Sequence, residues 1–375
     1  MKNSATVLQI VPRAPGPLDG VGDYALIVAN KLRQMYGCES IFAAHEFNSA
    51  AADHGFAAGS LDALPEGEFA REFDRLILHW VNYGYQKRGV PFALLRVLRK
   101  LRSQRPGSLL TVFHELYASA PPWRSAFWLR PLQIHICRSI AELSDACIVS
   151  SEAALAELKR LAPDTKVSVH PVVSNFGEPS FDSDQFARRD VNRWVICGGT
   201  SLVERSIRSF ATIINRIPAA VSPRELVILG GADNPATRAI IAKLRPLPCH
   251  YQPQIKAEDA SGILSTCSFA WIDYFHRPDV PTSAILKSTA FAAACAHAVI
   301  PVFPYPGSVI SLHGDRLPGP YFVEAAHSEL PRVPAKVAAE FYAWYGRNVS
   351  SDHLVRGIGH VLELVPDPTT AVRTG

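Results

Sequence analysis

Two short segments have the residue types and spacing to hold an anion. Val7-Leu-Gln-Ile-Val-Pro12 reads as an apolar strand; a loop ending Asp19-Gly-Val-Gly-Asp-Tyr24 and then a helical pattern follow it. Arg193-Trp-Val-Ile-Cys-Gly-Gly-Thr200 repeats the arrangement, with a loop carrying Glu204 and Arg205 before the next helical pattern. A strand feeding a glycine turn and a helix start presents outward-pointing peptide N–H groups at the positive end of the helix dipole. Gly20, Gly22 and Asp23 in the first turn, and Gly198, Gly199 and Thr200 in the second, therefore suit a phosphate-bearing ligand. Each turn alone also fits a tight strand-to-helix connection, with Asp23 as an early-turn carboxylate.

Lys287-Ser288-Thr289 opens an alanine-rich helical pattern. A cation at a helix start opposes the dipole, so an anionic partner is the better account of Lys287, and the two hydroxyls would add to it. Arg205 is a second such cation, with Arg208 a weaker one. Bound to a solvated helix start instead, both cations would be inert. His114 ends the strand pattern Ser108–His114, with Glu115 beside it; it reads either as a contact to ligand hydroxyls or as a cap on the sheet. His45, His79 and His114 lie on different strand ends with no HxH or HxxxH spacing, and no metal site is expected. In Pro121-Pro-Trp-Arg-Ser-Ala-Phe-Trp-Leu-Arg-Pro131, two tryptophans share a loop with two arginines. That segment suits a sugar platform, a lipid headgroup region, or a loop packed on its own aromatics. His276-Arg277-Pro-Asp-Val-Pro281 reads as a rim loop or an ordinary proline-rich connection.

Positioning these residues requires alternating strands and helices. Apolar runs at Val7–Pro12, Ser40–His45, Arg75–Val81, Ser108–His114, Ala146–Ser150 and Val167–Val172 are separated by helical patterns, which predicts a parallel sheet covered on both faces. Runs at Arg193–Cys197, Glu225–Leu229, His250–Gln252, Phe269–Ile272 and Ile300–Phe303 predict a second. Ligands of such sheets bind beyond the carboxyl ends of the strands. The residues there are polar and aromatic: His79, Asn82, His114, Ser150, Asn175, Gly230-Gly231 and Asp273-Tyr274 join those above. The polar stretch Ser174–Asn192 marks the boundary. The expected division is 1–176, then 177–336, with a tail helix over 337–365 packing back on the first domain.

The chain has 375 residues, 48% hydrophobic and 19% charged, enough for two domains with substantial cores. A net charge of +4 does not point to a dedicated nucleic-acid binder. Its seven cysteines sit apart in apolar runs without a CxxC pair, which predicts buried free thiols in a reducing cytoplasm. No run of about 18 apolar residues predicts a membrane span, and no signal-peptide pattern follows Met1.

Taken together, these motifs resemble the GT-B glycosyltransferases, most closely the retaining class often called family 4 (glycosyltransferase group 1). Gly20–Tyr24 is similar to the loop that approaches the donor diphosphate. Leu110–His114 is similar to the strand ending in a histidine near the sugar, and Leu143–Ser151 to the strand that ends in serine before a helix. Val172–Asn175 is similar to the hinge asparagine segment. Gly198-Gly199 and Arg205 resemble the glycine turn and basic residue around the phosphates, although Arg205-Ser206 stands where the family has Lys-Gly. The chain departs from the family at its paired glutamates, whose places near Ile285 and Ala293 are apolar.

The resemblance implies an α/β fold of two Rossmann-like parallel-sheet domains facing across a cleft. It implies an N-terminal acceptor domain, a C-terminal nucleotide-sugar domain, and transfer of a sugar from a nucleoside diphosphate sugar to a glycan or lipid-linked acceptor with retention. In that chemistry His114, Arg205 and Lys287 would be catalytic, and the glycine turns with Ser288 and Thr289 would hold the donor, with no bound metal or other cofactor and no nucleic-acid partner. A cytoplasmic enzyme touching the inner face of a membrane through Trp123–Trp128 fits this picture. Loss of the glutamates leaves a second reading open, a non-catalytic GT-B protein that binds a glycan or a partner.

Overall fold

The computed structural model describes residues 5–16, 20–47, 55–64, 73–104, 107–118, 121–274 and 282–366. The chain forms two compact units, one ending at His170 and resuming at Ser351, the other spanning Pro171–Ser350. The expected breaks at 176/177 and 336/337 differ from these divides, the second by the length of a helix. The tail expected as one helix over 337–365 is two, and only the second belongs with the first unit.

In the first unit the strands are β1 (Thr6–Arg13), β2 (Glu39–Glu46), β3 (Ala57–Ser60), β4 (Arg75–Trp80), β5 (Ser108–Phe113), β6 (Ala146–Val149) and β7 (Val167–Val169). They form one sheet in the order β3-β2-β1-β4-β5-β6-β7, every pair parallel. Its helices are α1 (Gly20–Tyr36), α2 (Asn82–Tyr85), α3 (Phe92–Gln104), α4 (Ser125–Leu143) and α5 (Glu152–Leu161). Near-continuous burial along β1, β4 and β5 follows from helices covering both faces.

The second unit contains α6 (Ser183–Ala187), β8 (Arg193–Cys197), α7 (Thr200–Ile213), β9 (Glu225–Leu229), α8 (Pro235–Ala242), β10 (Cys249–Gln252), α9 (Ala257–Leu264) and β11 (Phe269–Trp271). It continues with α10 (Thr289–Ala296), β12 (Ile300–Phe303), the small hairpin β13 (Ser311–Leu312) and β14 (Asp315–Arg316), then β15 (Tyr321–Val323), β16 (Ser328–Glu329) and α11 (Pro334–Asn348). The sheet order is β10-β9-β8-β11-β12-β15-β16, parallel except for the last pair. Finally α12 (Ser351–Val361) packs on α1 of the first unit, where Lys31 Nζ donates to Asp352 at 2.6 Å.

Both sheets therefore reverse strand order beside their first strand, at β1/β4 and at β8/β11. Such a switch point opens a crevice beyond the carboxyl ends of the strands. The second core is closed by α10, whose residues Ala290–Ala296 are all buried; its short side chains let α11 pack against it. The seven cysteines are free thiols, six of them buried. Among the described residues no helix is long and apolar enough to cross a membrane.

Candidate functional site

In the second unit the strand-to-helix turn after β8 is built for close approach. Gly198 has φ 136°, a backbone conformation that favours glycine, and its N–H donates to Leu229 O at 3.1 Å. Behind it lies a second glycine turn, Gly230-Gly231, with φ 87° and 75°. A Cβ on Gly230 would stand 2.6 Å from Gly198 O, so the two turns touch only because neither carries a side chain there. Thr200 Oγ1 accepts from Ala232 N at 2.8 Å and locks the turns together.

The helix that follows starts without a cap. Gly199 is the N-cap of α7 and supplies no side-chain hydrogen bond; the first intrahelical bond runs from Val203 N to Gly199 O. The amides of Thr200, Ser201 and Leu202 precede that bond and are left for a ligand or water. A capped helix spends one such amide on a side chain. The start of α10 is so capped, Ser288 Oγ accepting from Phe291 N at 3.3 Å. The two helix starts meet: Ala290 Cβ would lie 3.6 Å from a Cβ on Gly198, and Cys197 Sγ points to Ala290 O. The structure thus brings Gly198, Gly199 and Thr200 together with Ser288 and Thr289. Lys287 ends the 3-10 helix Thr282–Lys287 at the lip of this junction, exposed and with no ion pair among the described residues.

Arg205 stands differently from expectation. The helix begins at Thr200, so Glu204 and Arg205 belong to its second turn and not to a loop. Arg205 Nε donates to Asp273 O at 2.6 Å and Nη2 to Tyr274 O at 3.3 Å, with the Asp273 carboxylate 3.8 Å away. The guanidinium therefore closes the β11 side of the switch point. Tyr305, beyond β12, is close enough to Arg205 and Asp273 to feel their charges: burial, then the Asp273 carboxylate, push its hydroxyl up to about 12.

The first unit gathers imidazoles at its own switch point. Gln9 in β1, wholly buried, donates to Ser40 Oγ at 3.0 Å and turns its Oε1 toward His79 Nε2, 2.8 Å away. His79 Nε2 then carries the proton, and its Nδ1, as the acceptor of a neutral ring, faces His114 Nε2 at 3.4 Å. The rings stack with centroids 5.6 Å apart, and Tyr24 meets His114 edge-on at 4.9 Å. Part of the His114 edge reaches solvent, yet burial pulls its pKa down to about 4; burial, then the neighbouring His114, holds His79 well below the usual range. Both rings are neutral at pH 7, and the relay leaves Nδ1 of His114 as that ring's hydrogen-bond acceptor.

Tyr24 ties the first glycine segment to this pair, since Gly20, Gly22 and Asp23 form the first turn of α1. They were expected in a loop; neither glycine has a positive φ, so both take helical backbone without strain. The loop expected over Pro121–Pro131 is largely helix, α4 starting at Ser125 with Pro131 inside it. Ile285 and Ala293, where the family pattern places glutamates, have no exposed surface. Asp19 and His276–Pro281 lie outside the described residues. Sequence reasoning missed Gln9, whose signal is a lone amide inside an apolar strand, and Tyr305, which follows a strand end. Among the described residues no three His, Cys, Asp or Glu side chains group to hold a metal ion.

No protein-family model and no curated protein matches this sequence. The structure is similar to that of Anabaena HepE, solved with UDP and glucose, at 12% identity, TM-score 0.56, over 96% of this chain and 100% of that one. It is also similar to an α-glucosyltransferase solved with UDP and a 13-mer DNA (13% identity, TM-score 0.57, 96% and 100% coverage). A glycosyltransferase from Rickettsia africae matches at 10% identity and TM-score 0.59 over 96% and 98%. The fold is that of the GT-B glycosyltransferases.

Proposed function

We propose that this chain is a glycosyltransferase that moves a sugar from a nucleoside diphosphate sugar to an acceptor hydroxyl, with retention, in glycan, polysaccharide or glycolipid synthesis. The observation that carries the reading is the uncapped start of α7 on a doubled glycine turn, beside the start of α10 and the exposed Lys287. As the bond between sugar and diphosphate breaks, negative charge grows on the phosphate oxygens. The amides of Thr200, Ser201 and Leu202 and the Lys287 ammonium would meet that charge more strongly in the transition state than in the bound donor. Ser288 and Thr289 would border the same phosphates. That HepE and the α-glucosyltransferase were solved with UDP supports a nucleoside diphosphate as the ligand of the second unit.

The first unit is then the acceptor unit. A neutral His114 with a free Nδ1 can accept a hydrogen bond from a sugar hydroxyl, and Gly20, Gly22 and Asp23 offer a second helix start. Arg205 would act by fixing Asp273 and Tyr274. Retention and family 4 membership rest on the resemblance of the turn and strand-end motifs. The free thiols support the cytoplasm as the setting.

A second reading, a non-catalytic protein that binds a glycan or partner, is favoured by the burial of Ile285 and Ala293 and by the engagement of Arg205 with carbonyls. A thermal-shift panel of UDP, GDP, ADP, TDP and CMP, with Lys287→Ala as control, tests the proposal. A ligand that binds the folded state raises its stability. Stabilisation by one nucleoside diphosphate, weakened in the variant, supports the donor site; no shift with any of them removes it.

A further inference from the structure

The first half of α4 is exposed where a helix of an α/β unit would ordinarily be half covered. Trp123 and Trp128 keep 81% and 72% of their surface in solvent, and Phe127 and Leu132 are exposed as well. Trp123 and Trp128 occupy the position before the N-cap and the fourth helical position, which lie on one side of the first turn. Leu132, four residues on, continues that face. Trp128 Nε1 donates to Pro122 O at 2.9 Å, so the one polar atom of this indole is satisfied within the chain and its apolar faces are what it offers outward.

Beside this apolar strip runs a basic one. Helix α3 packs on α4, with the exposed Phe92 ring 6.5 Å from that of His135. Its solvent face carries Arg96, Arg99 and Lys100, and Arg124 sits among the aromatics. None of these four has an ion-pair partner among the described residues. Residues 86–132 hold nine Lys and Arg against a single acid, Glu115, while the whole chain nets only +4. Of these, Arg102 pairs with Asp145, whereas Arg96, Arg99, Lys100 and Arg124 are exposed on α3 and at the start of α4. Exposed Trp, Phe and Leu interleaved with unpaired cations is the composition of a surface that sinks into a headgroup layer while its charges meet anionic lipid.

We propose that this face of α3 and α4 docks the protein on an anionic bilayer, the indoles entering the interface and the arginines and lysine meeting lipid phosphates. The two helices follow β4 and β5, the strands that carry His79 and lead into His114. The proposal stands independently of the transferase reading, because it concerns binding to lipid and no turnover.

Flotation of the purified full chain with vesicles of phosphatidylcholine, with and without phosphatidylglycerol, at low and high salt tests it. The expected result is binding to the anionic vesicles alone, weakened by salt. Trp123→Ser/Trp128→Ser and Arg96→Glu/Lys100→Glu should each weaken it by more than about tenfold, the first through lost apolar area and the second through lost attraction to anionic lipid. All four positions are exposed, so both variants should melt as the parent does. The proposal is overturned if the folded parent does not float with anionic vesicles or if either double variant floats as well as the parent. It is overturned too if a single-stranded oligonucleotide binds this face in preference to lipid, by stacking on the same tryptophans.

Discussion

Acidification should destabilise the first unit through its stacked imidazoles. In the unfolded chain a histidine titrates near about 6.5; in the folded protein burial brings His114 down to about 4 and holds His79 well below its ordinary range. Between those values the unfolded chain binds more protons than the folded one. Stability therefore rises with pH through the window and is lost as pH falls from about 6.5 toward 4. For His114 alone the linkage amounts to about 2 kcal/mol at pH 5, and to about 1–2 kcal/mol once the solvent-facing part of the ring is allowed for. The second imidazole adds to this, but the two titrate as a pair, because a proton on one opposes a proton on the other.

For a unit of this size about 1–2 kcal/mol corresponds to a drop of roughly 2–8 °C in melting temperature between pH 7 and pH 5. The assay has two parts. Imidazole NMR of histidine-labelled protein reads the two pKa values directly, His114→Gln and His79→Asn identifying their signals. Calorimetry of wild type and His114→Gln at both pH values reads the consequence, since glutamine keeps a hydrogen-bonding side chain but cannot titrate. The variant should lose part of the acid-induced drop. An ordinary titration near 6.5 for both rings, or an acid dependence unchanged by the substitution, would refute the reasoning.

Three other predictions concern the second unit. Gly230→Ala puts a Cβ 2.6 Å from Gly198 O on a backbone at φ 87°, and should cost about 2–3 kcal/mol by thermal unfolding, whereas Gly199→Ala, with nothing within 4 Å and φ −70°, should cost under about 1 kcal/mol. Equal costs would contradict the doubled turn. Arg205→Ala should lower the melting temperature, losing charged hydrogen bonds worth about 1.5–3 kcal/mol, while Lys287→Ala should leave it unchanged and weaken nucleotide affinity by a similar amount in calorimetric titration. Ile285→Glu, which restores a carboxylate of the family pattern, should destabilise by several kcal/mol because it buries an unpaired charge at a site without exposed surface. A stable Ile285→Glu protein would show that the position can open to a ligand.

Much of the frame was legible because parallel strands buried on both faces write themselves as uninterrupted apolar runs. Arg193–Cys197, Glu225–Leu229 and Ile300–Phe303 coincide with β8, β9 and β12. The edge strands β3 and β16 escaped, since Ala57–Ser60 and Ser328–Glu329 carry no apolar run to betray them, and β15 (Tyr321–Val323) escaped because three residues are too few for a pattern. Helix starts were misplaced wherever glycine or polar residues open the helix. Gly20–Asp23 and Thr200–Arg205 read as loop because their composition is that of loops, yet α1 and α7 begin there, anchored by the buried faces that follow. The tail was read as one helix because its apolar period is continuous; the break at Val349-Ser350 is visible only in the backbone. Of the candidate site, the residues at strand ends were readable from their position, while their partners were not. Nothing in the pattern pairs Gln9 with His79, or Arg205 with the carbonyls of Asp273 and Tyr274. Those contacts join residues 70 and 68–69 positions apart.

The central claim is that this chain turns over a nucleoside diphosphate sugar. The direct measurement is nucleoside diphosphate release from a panel of sugar nucleotides, with and without a membrane or glycan acceptor fraction, in wild type and Lys287→Ala. The account predicts release from one donor, stimulated by acceptor and reduced in the variant. A folded protein that binds a nucleotide yet releases none from any donor would contradict it and leave the binding-protein reading in its place.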